Sequence, residues 1–100
     1  MPLQIEVSRR EIADFCRRNQ IRKLAVFGSA LREDFTPDSD VDVIVWFEPE
    51  ARVGLITLGG IERRLSELMG RKVDMHTPEM LSKYFRDRVL AEAQVVYERT

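Results

Sequence analysis

Apolar positions recur along the chain with two periods, and the changes between them mark out its elements. Ser8-Arg9-Arg10-Glu11 has the form of a capping box, and Ile12, Phe15 and Cys16 follow at helical spacing, so a helix is predicted from about residue 9 to 19. Leu24-Ala25-Val26-Phe27 is a short apolar run closed by Gly28-Ser29, which reads as a buried strand and a turn. Residues 30–39 hold the turn formers Pro37, Asp38 and Ser39 and no apolar period. Val41 to Phe47 is a β-branched and aromatic run interrupted only by Asp42, the clearest strand in the chain.

Farther on, Leu58, Ile61, Leu65 and Leu68 form a helical stripe that Gly70 can end, while Gly59-Gly60 inside it invites a local break. Lys72 to His76 reads as a short strand. Thr77-Pro78 then caps a helix carrying Leu81, Phe85 and Val89 to about Glu92, and Gln94 to Tyr97 reads as a last strand. The predicted order is α-β-β-α-β-α-β. That is an α/β (α+β) fold, one mixed sheet of about four strands packed with about three helices, in a single domain over residues 1–100.

Composition narrows the class. The chain has 100 residues, 44% of them hydrophobic and 33% charged, a globular balance with no apolar run near the ~20 residues that span a bilayer. Its N-terminus lacks the apolar stretch of a signal peptide, and its one cysteine, Cys16, fits a reducing cytoplasm. The net charge of −1 argues against direct DNA binding of the kind that coats a duplex. By segment the balance is uneven: +3 over residues 1–30, −5 over 31–53 and +1 over 54–100. The acidic middle is the part that needs a chemical explanation.

Asp40-Val41-Asp42 opens the best strand, where residues i and i+2 share a face. The two carboxylates project together, away from Val41, Val43 and Val45, and repel each other unless a cation lies between them. Oxygen-only ligands on a strand suit Mg²⁺, which completes its shell with water and phosphate oxygens. Gly28-Ser29 can bring backbone amides and a hydroxyl up to phosphate oxygens. If the strands at 41–47 and 72–76 are neighbours, Asp74 faces the same space. Three carboxylates beside a phosphate-binding turn is the arrangement that two-metal nucleotidyl transfer uses. His76 can share the face of Asp74, and Trp46 shares that of Asp42. The ordinary readings are a strand-end histidine and a tryptophan packed beneath a helix or a partner. Cys16 is read as a core residue, and the pairs Arg9-Arg10, Arg17-Arg18 and Arg22-Lys23 as a solvated surface.

Gly28-Ser29, ten residues and then Asp40-Val41-Asp42 resembles the G-S-x10-D-x-D signature of the DNA polymerase β-like nucleotidyltransferase superfamily. Gly28 to Arg32, Pro37 to Asp42 and Arg71-Lys72-Val73-Asp74 look like the minimal nucleotidyltransferase antitoxins over nearly the whole chain. The resemblance implies a nucleotidyltransferase fold in which Gly28, Ser29 and Arg32 bind the nucleotide. It also implies that Asp40, Asp42 and Asp74 are catalytic and hold two Mg²⁺ ions. It further implies the antitoxin of a type VII-like toxin–antitoxin pair, which moves AMP from ATP to a tyrosine of a HEPN-domain RNase toxin within a hetero-oligomer. The alternative is a non-catalytic antitoxin that neutralises the HEPN toxin by binding and occlusion. A small-molecule nucleotidyltransferase would normally carry an added substrate domain. One departure is Glu33-Asp34 after Arg32, where many relatives have glycine: two acids that would repel a triphosphate unless they point away.

Overall fold

The computed structural model describes residues 8–28 and 40–99. Ser29, Arg32, Glu33 and Asp34 lie outside the described residues. Helix α1 (Arg9–Arg18) begins where Ser8 Oγ accepts the Glu11 N–H at 3.3 Å, and Arg17 and Arg18 in its last turn complement the helix dipole. It leads into β1 (Ile21–Phe27). Then come β2 (Val41–Phe47), helix α2 (Leu55–Met69), β3 (Val73–His76), a 3₁₀ turn (Pro78–Met80), helix α3 (Arg86–Glu92) and β4 (Gln94–Glu98). The strands form one mixed sheet in the order β3-β2-β1-β4. β1 is antiparallel to both β2 and β4, and β3 runs parallel to β2. A parallel neighbour requires a crossover, which is what α2 supplies.

Alternation along the strands divides the sheet into two faces. Leu24 and Val26, then Val41, Val43 and Val45, then Val73 and Met75 pack into one cluster with Ile12, Phe15 and Cys16 of α1 and Leu58, Ile61 and Leu65 of α2. The opposite face carries Ala25 and Phe27, then Asp42, Ile44 and Trp46, then Asp74 and His76. The hydrophobic face is thus committed to packing, and the chemistry-bearing residues all fall on the other. Among the described residues, no helix is long and apolar enough to cross a membrane.

Cys16 is wholly buried in the first cluster, as its apolar helix face implies. Burial pushes its thiol up to about 12, outweighing the opposing pull of the neighbouring Arg17 charge. The thiol therefore stays protonated at working pH and out of reach. A thiol reagent at pH 8 is expected to leave the native chain unlabelled and to label it fully in denaturant; rapid native labelling would mean that α1 is not seated on the sheet.

Three features differ from expectation by more than a residue. β1 starts at Ile21, three residues earlier than the apolar run, because Ile21 is buried while the Lys23 ammonium lies 4.8 Å from the Trp46 ring centroid on the neighbouring strand. α2 passes through Gly59-Gly60 unbroken, held by the buried residues Leu58, Ile61 and Leu65. Gly70, at φ +70°, ends it with backbone bonds from Gly70 and Arg71 to carbonyls of its last turn. The helix expected from Pro78 to Glu92 is instead two pieces. Pro78 does open a 3₁₀ turn after Thr77, but Leu81 is extended. The Ser82 side chain accepts the Tyr84 N–H, and its carbonyl accepts those of Phe85 and Arg86. That local turn competes with helix propagation. Tyr84 and Phe85 are left exposed instead of lying on a buried helical stripe.

Candidate active site

The site is built from the ends of three elements on the face of the sheet opposite the α1–α2 cluster. Parallel pairing sets Asp42 opposite Asp74, so their side chains leave adjacent strands, about 4.8 Å apart, on the same side. Antiparallel pairing sets Phe27 opposite Asp42 on the other flank. A row Phe27–Asp42–Asp74 therefore crosses the sheet, with a row Ala25–Ile44–His76 beneath it. Ala25 and Ile44 are fully buried, so the acidic row stands on a packed floor.

Gly28 closes β1 at φ +72°, in the left-handed region that an L side chain rarely adopts. A Cβ at this position would lie 2.6 Å from Asp42 Oδ2. The backbone after β1 is thus pressed against the carboxylate, and glycine is required there both by its dihedral angle and by the space.

Asp40 stands one residue before β2, where the Val41 N–H donates to the Lys72 carbonyl at 2.9 Å and starts the β2–β3 ladder. The Lys72 ammonium lies 3.8 Å from Asp40 Oδ2. Both groups are exposed, so this ion pair contributes about 0–1 kcal/mol, but it places a cation at the rim of the acidic row. In the sequence Lys72 stands as a strand start and within Arg71-Lys72-Val73-Asp74, with no role of its own. Its signal was its place just before β3, which becomes informative once β2 and β3 are known to be parallel neighbours.

Among the described residues, no three His, Cys, Asp or Glu side chains are already gathered into a metal-holding group. The donors the fold does offer are carboxylate oxygens on strands, partly exposed and next to a close-approach glycine. That set fits a hard divalent cation that keeps waters and phosphate oxygens in its shell. The softer candidate donors are placed elsewhere: Cys16 is in the core on the opposite face, and His76 lies one row down, edge-on to Phe27 at 5.5 Å between ring centroids. Trp46 lies near the far end of β2 beneath Lys23, distant in the strand from Asp42. Arg17 pairs with Asp14, and Arg9 reaches the Val96 carbonyl, as befits surface arginines.

A strand-borne acidic row with a glycine turn pressed on it is a nucleotidyltransferase arrangement, and residues 9–96 match the nucleotidyltransferase domain family. The chain belongs to that family. Among its relatives is protein adenylyltransferase MntA of Thermococcus cleftensis, 36% identical over 77 residues, which span 77% of this chain and 74% of that protein. A solved structure provisionally described as a minimal nucleotidyltransferase is 32% identical and superposes with a TM-score of 0.69, covering 85% of each chain. The fold also recurs in a complex of tri-AMPylated Shewanella oneidensis HEPN toxin with its MNT antitoxin. There the TM-score is 0.66 at 17% identity, over 90% of this chain and 69% of the other.

Proposed function

We propose that this chain is an ATP- and Mg²⁺-dependent protein adenylyltransferase, and that it serves as the cytoplasmic antitoxin of a HEPN-domain RNase by adenylylating a tyrosine of that partner. The observation that carries the reading is the register pair Asp42–Asp74 with Gly28 pressed against Asp42. The adenylyltransferase name of the Thermococcus relative supports the reaction type, and the AMPylated toxin in the Shewanella complex supports the acceptor.

In this reading Gly28 gives the triphosphate its close approach to the sheet, with Ser29 and Arg32 as its further binding residues. Asp40 and Asp42 would hold two Mg²⁺ ions, and Asp74 would complete the second site. When bound, the ions supply charge stabilisation at the α-phosphate and the departing pyrophosphate. In this reading the acceptor tyrosine is presented by another protein, and a hetero-oligomer is the working unit. Asp74, the neighbour of Asp42 across the strands, would take the proton of the attacking tyrosine hydroxyl. The tyrosine oxygen forms a bond to the α-phosphorus, the bond to the bridging oxygen breaks, and pyrophosphate leaves. In-line geometry is set by where the partner presents its tyrosine against the row.

Co-expression tests this directly. The HEPN partner isolated with the wild-type chain is expected to gain whole adenylate units in intact mass, mapped to tyrosine. With Asp40→Ala/Asp42→Ala it should carry none, and its toxicity should return. Full suppression of toxicity by the double variant, with an unmodified partner, would replace this reading by neutralisation through occlusion.

A further inference from the structure

Among the described residues, the strand that carries Asp74 lies at the edge of the sheet, with β2 on one side only. Backbone groups alternate sides along a strand, so Asp74 turns its amide towards β2 while Val73 and Met75 turn theirs outward. Outward N–H groups on an edge are normally left to water. Here both are taken by side chains of α2. Glu62 Oε2 accepts the Met75 N–H at 2.7 Å, and Ser66 Oγ accepts the Val73 N–H at 3.0 Å. The Ser66 hydroxyl in turn donates to the Glu62 carbonyl at 2.9 Å, which directs an oxygen lone pair at the strand. Glu62 and Ser66 are one helical turn apart, and the residue between the two amides they hold is Asp74.

We propose that Glu62 and Ser66 are positioning residues that fix the height of Asp74 against Asp42, and with it the cation-holding geometry of the acidic row. This rests on the reading that Asp74 helps hold the cation. The physical reason is asymmetry. Asp42 sits on β2, paired on both sides and bedded on the core, whereas Asp74 sits on a four-residue strand with one neighbour. Without an outer partner the edge strand can twist and slide by fractions of an ångström, and a carboxylate pair is sensitive to that. The Glu62 bond is charge-assisted and short, roughly twice as strong as a neutral one, so it is the stiffer of the two tethers. Covering the edge would by itself only protect the strand from pairing with another chain; it would not tie cation affinity to the identity of residue 62.

The test measures Mn²⁺ binding to the full-length chain from the loss of free-ion electron paramagnetic resonance signal, with melting temperature recorded in parallel. Glu62→Ala is expected to weaken Mn²⁺ binding by about 10-fold, the usual scale for an outer-shell partner. It should also lower kcat for adenylate transfer more than it raises KM for the partner. Glu62→Gln keeps an acceptor oxygen and should return Mn²⁺ affinity to within about 2-fold of wild type, as a neutral bond replaces a charge-assisted one. Ser66→Ala should fall between the two. The proposal is overturned if Mn²⁺ affinity in Glu62→Ala, or in Glu62→Gln and Ser66→Ala should the alanine variant not fold, fails to follow this order. Asp74→Ala separates the layers. If it loses Mn²⁺ affinity while the Glu62 and Ser66 variants keep it, the tether idea fails alone. If Asp74→Ala itself binds as wild type, the role of Asp74 fails and the tether with it.

Discussion

Asp42→Ala is expected to reduce adenylate transfer by about 10³-fold or more while leaving the chain fully folded. The size follows from removing an electrostatic anchor at the centre of a phosphoryl-transfer site, where a single group typically accounts for 10²–10³-fold or more. Retention of the fold follows from where the side chain lies. Asp42 projects from the face opposite the α1–α2 cluster, and the residues that seat β2 are Val41, Val43 and Val45, each wholly buried. Circular dichroism melts beside a transfer assay would show the separation. A melting temperature that collapses with activity would recast Asp42 as a structural residue.

Gly28→Ala has the second largest expected effect, and it differs in kind because it should damage both stability and activity. An L residue at φ +72° costs about 1–2 kcal/mol in backbone energy. The new Cβ, 2.6 Å from Asp42 Oδ2, must also push the carboxylate aside, since carbon and oxygen do not approach so closely. A displacement towards 1 Å at a reacting centre costs about 10²-fold in rate. The variant should therefore lose roughly that much transfer activity with only a modest fall in stability. If Gly28→Ala/Asp42→Ala is no less active than Asp42→Ala alone, the glycine acts through the carboxylate. A further large loss in the double variant would show that the turn contributes on its own to holding the nucleotide.

The strands were the most legible part of the sequence, because they bury one face and their aliphatic residues alternate or run together. Val41–Phe47 was bounded correctly by its composition, and β3 nearly so. Polar starts were harder: Arg22 and Lys23 hid the first half of β1, where burial of Ile21 and the Lys23–Trp46 contact decide the matter. The segment from Leu81 to Val89 carries a helical spacing, but the turn built around Ser82 breaks it, a competition that apolar periodicity does not register. At the site, a period of two aligned Asp40 with Asp42; the fold puts Asp42 on the face opposite the core and Asp40 one residue before the strand. The Asp42–Asp74 pair depended on which strands are neighbours, a long-range fact that no local pattern encodes. Gly28 was readable as a turn glycine, though not its contact with Asp42. Glu62 and Ser66 were invisible because their partners are backbone amides, which leave no trace in side-chain identity.

The strongest measurement of the central claim compares two labels on ATP. The purified chain is incubated with its HEPN partner and Mg²⁺, using ATP labelled at the α-phosphate in one reaction and at the γ-phosphate in the other. Adenylate transfer predicts label on the partner from the α-position alone, its loss in Asp42→Ala, and release of the γ-label as pyrophosphate. Label arriving from the γ-position, or α-label that persists without Asp42, would contradict it.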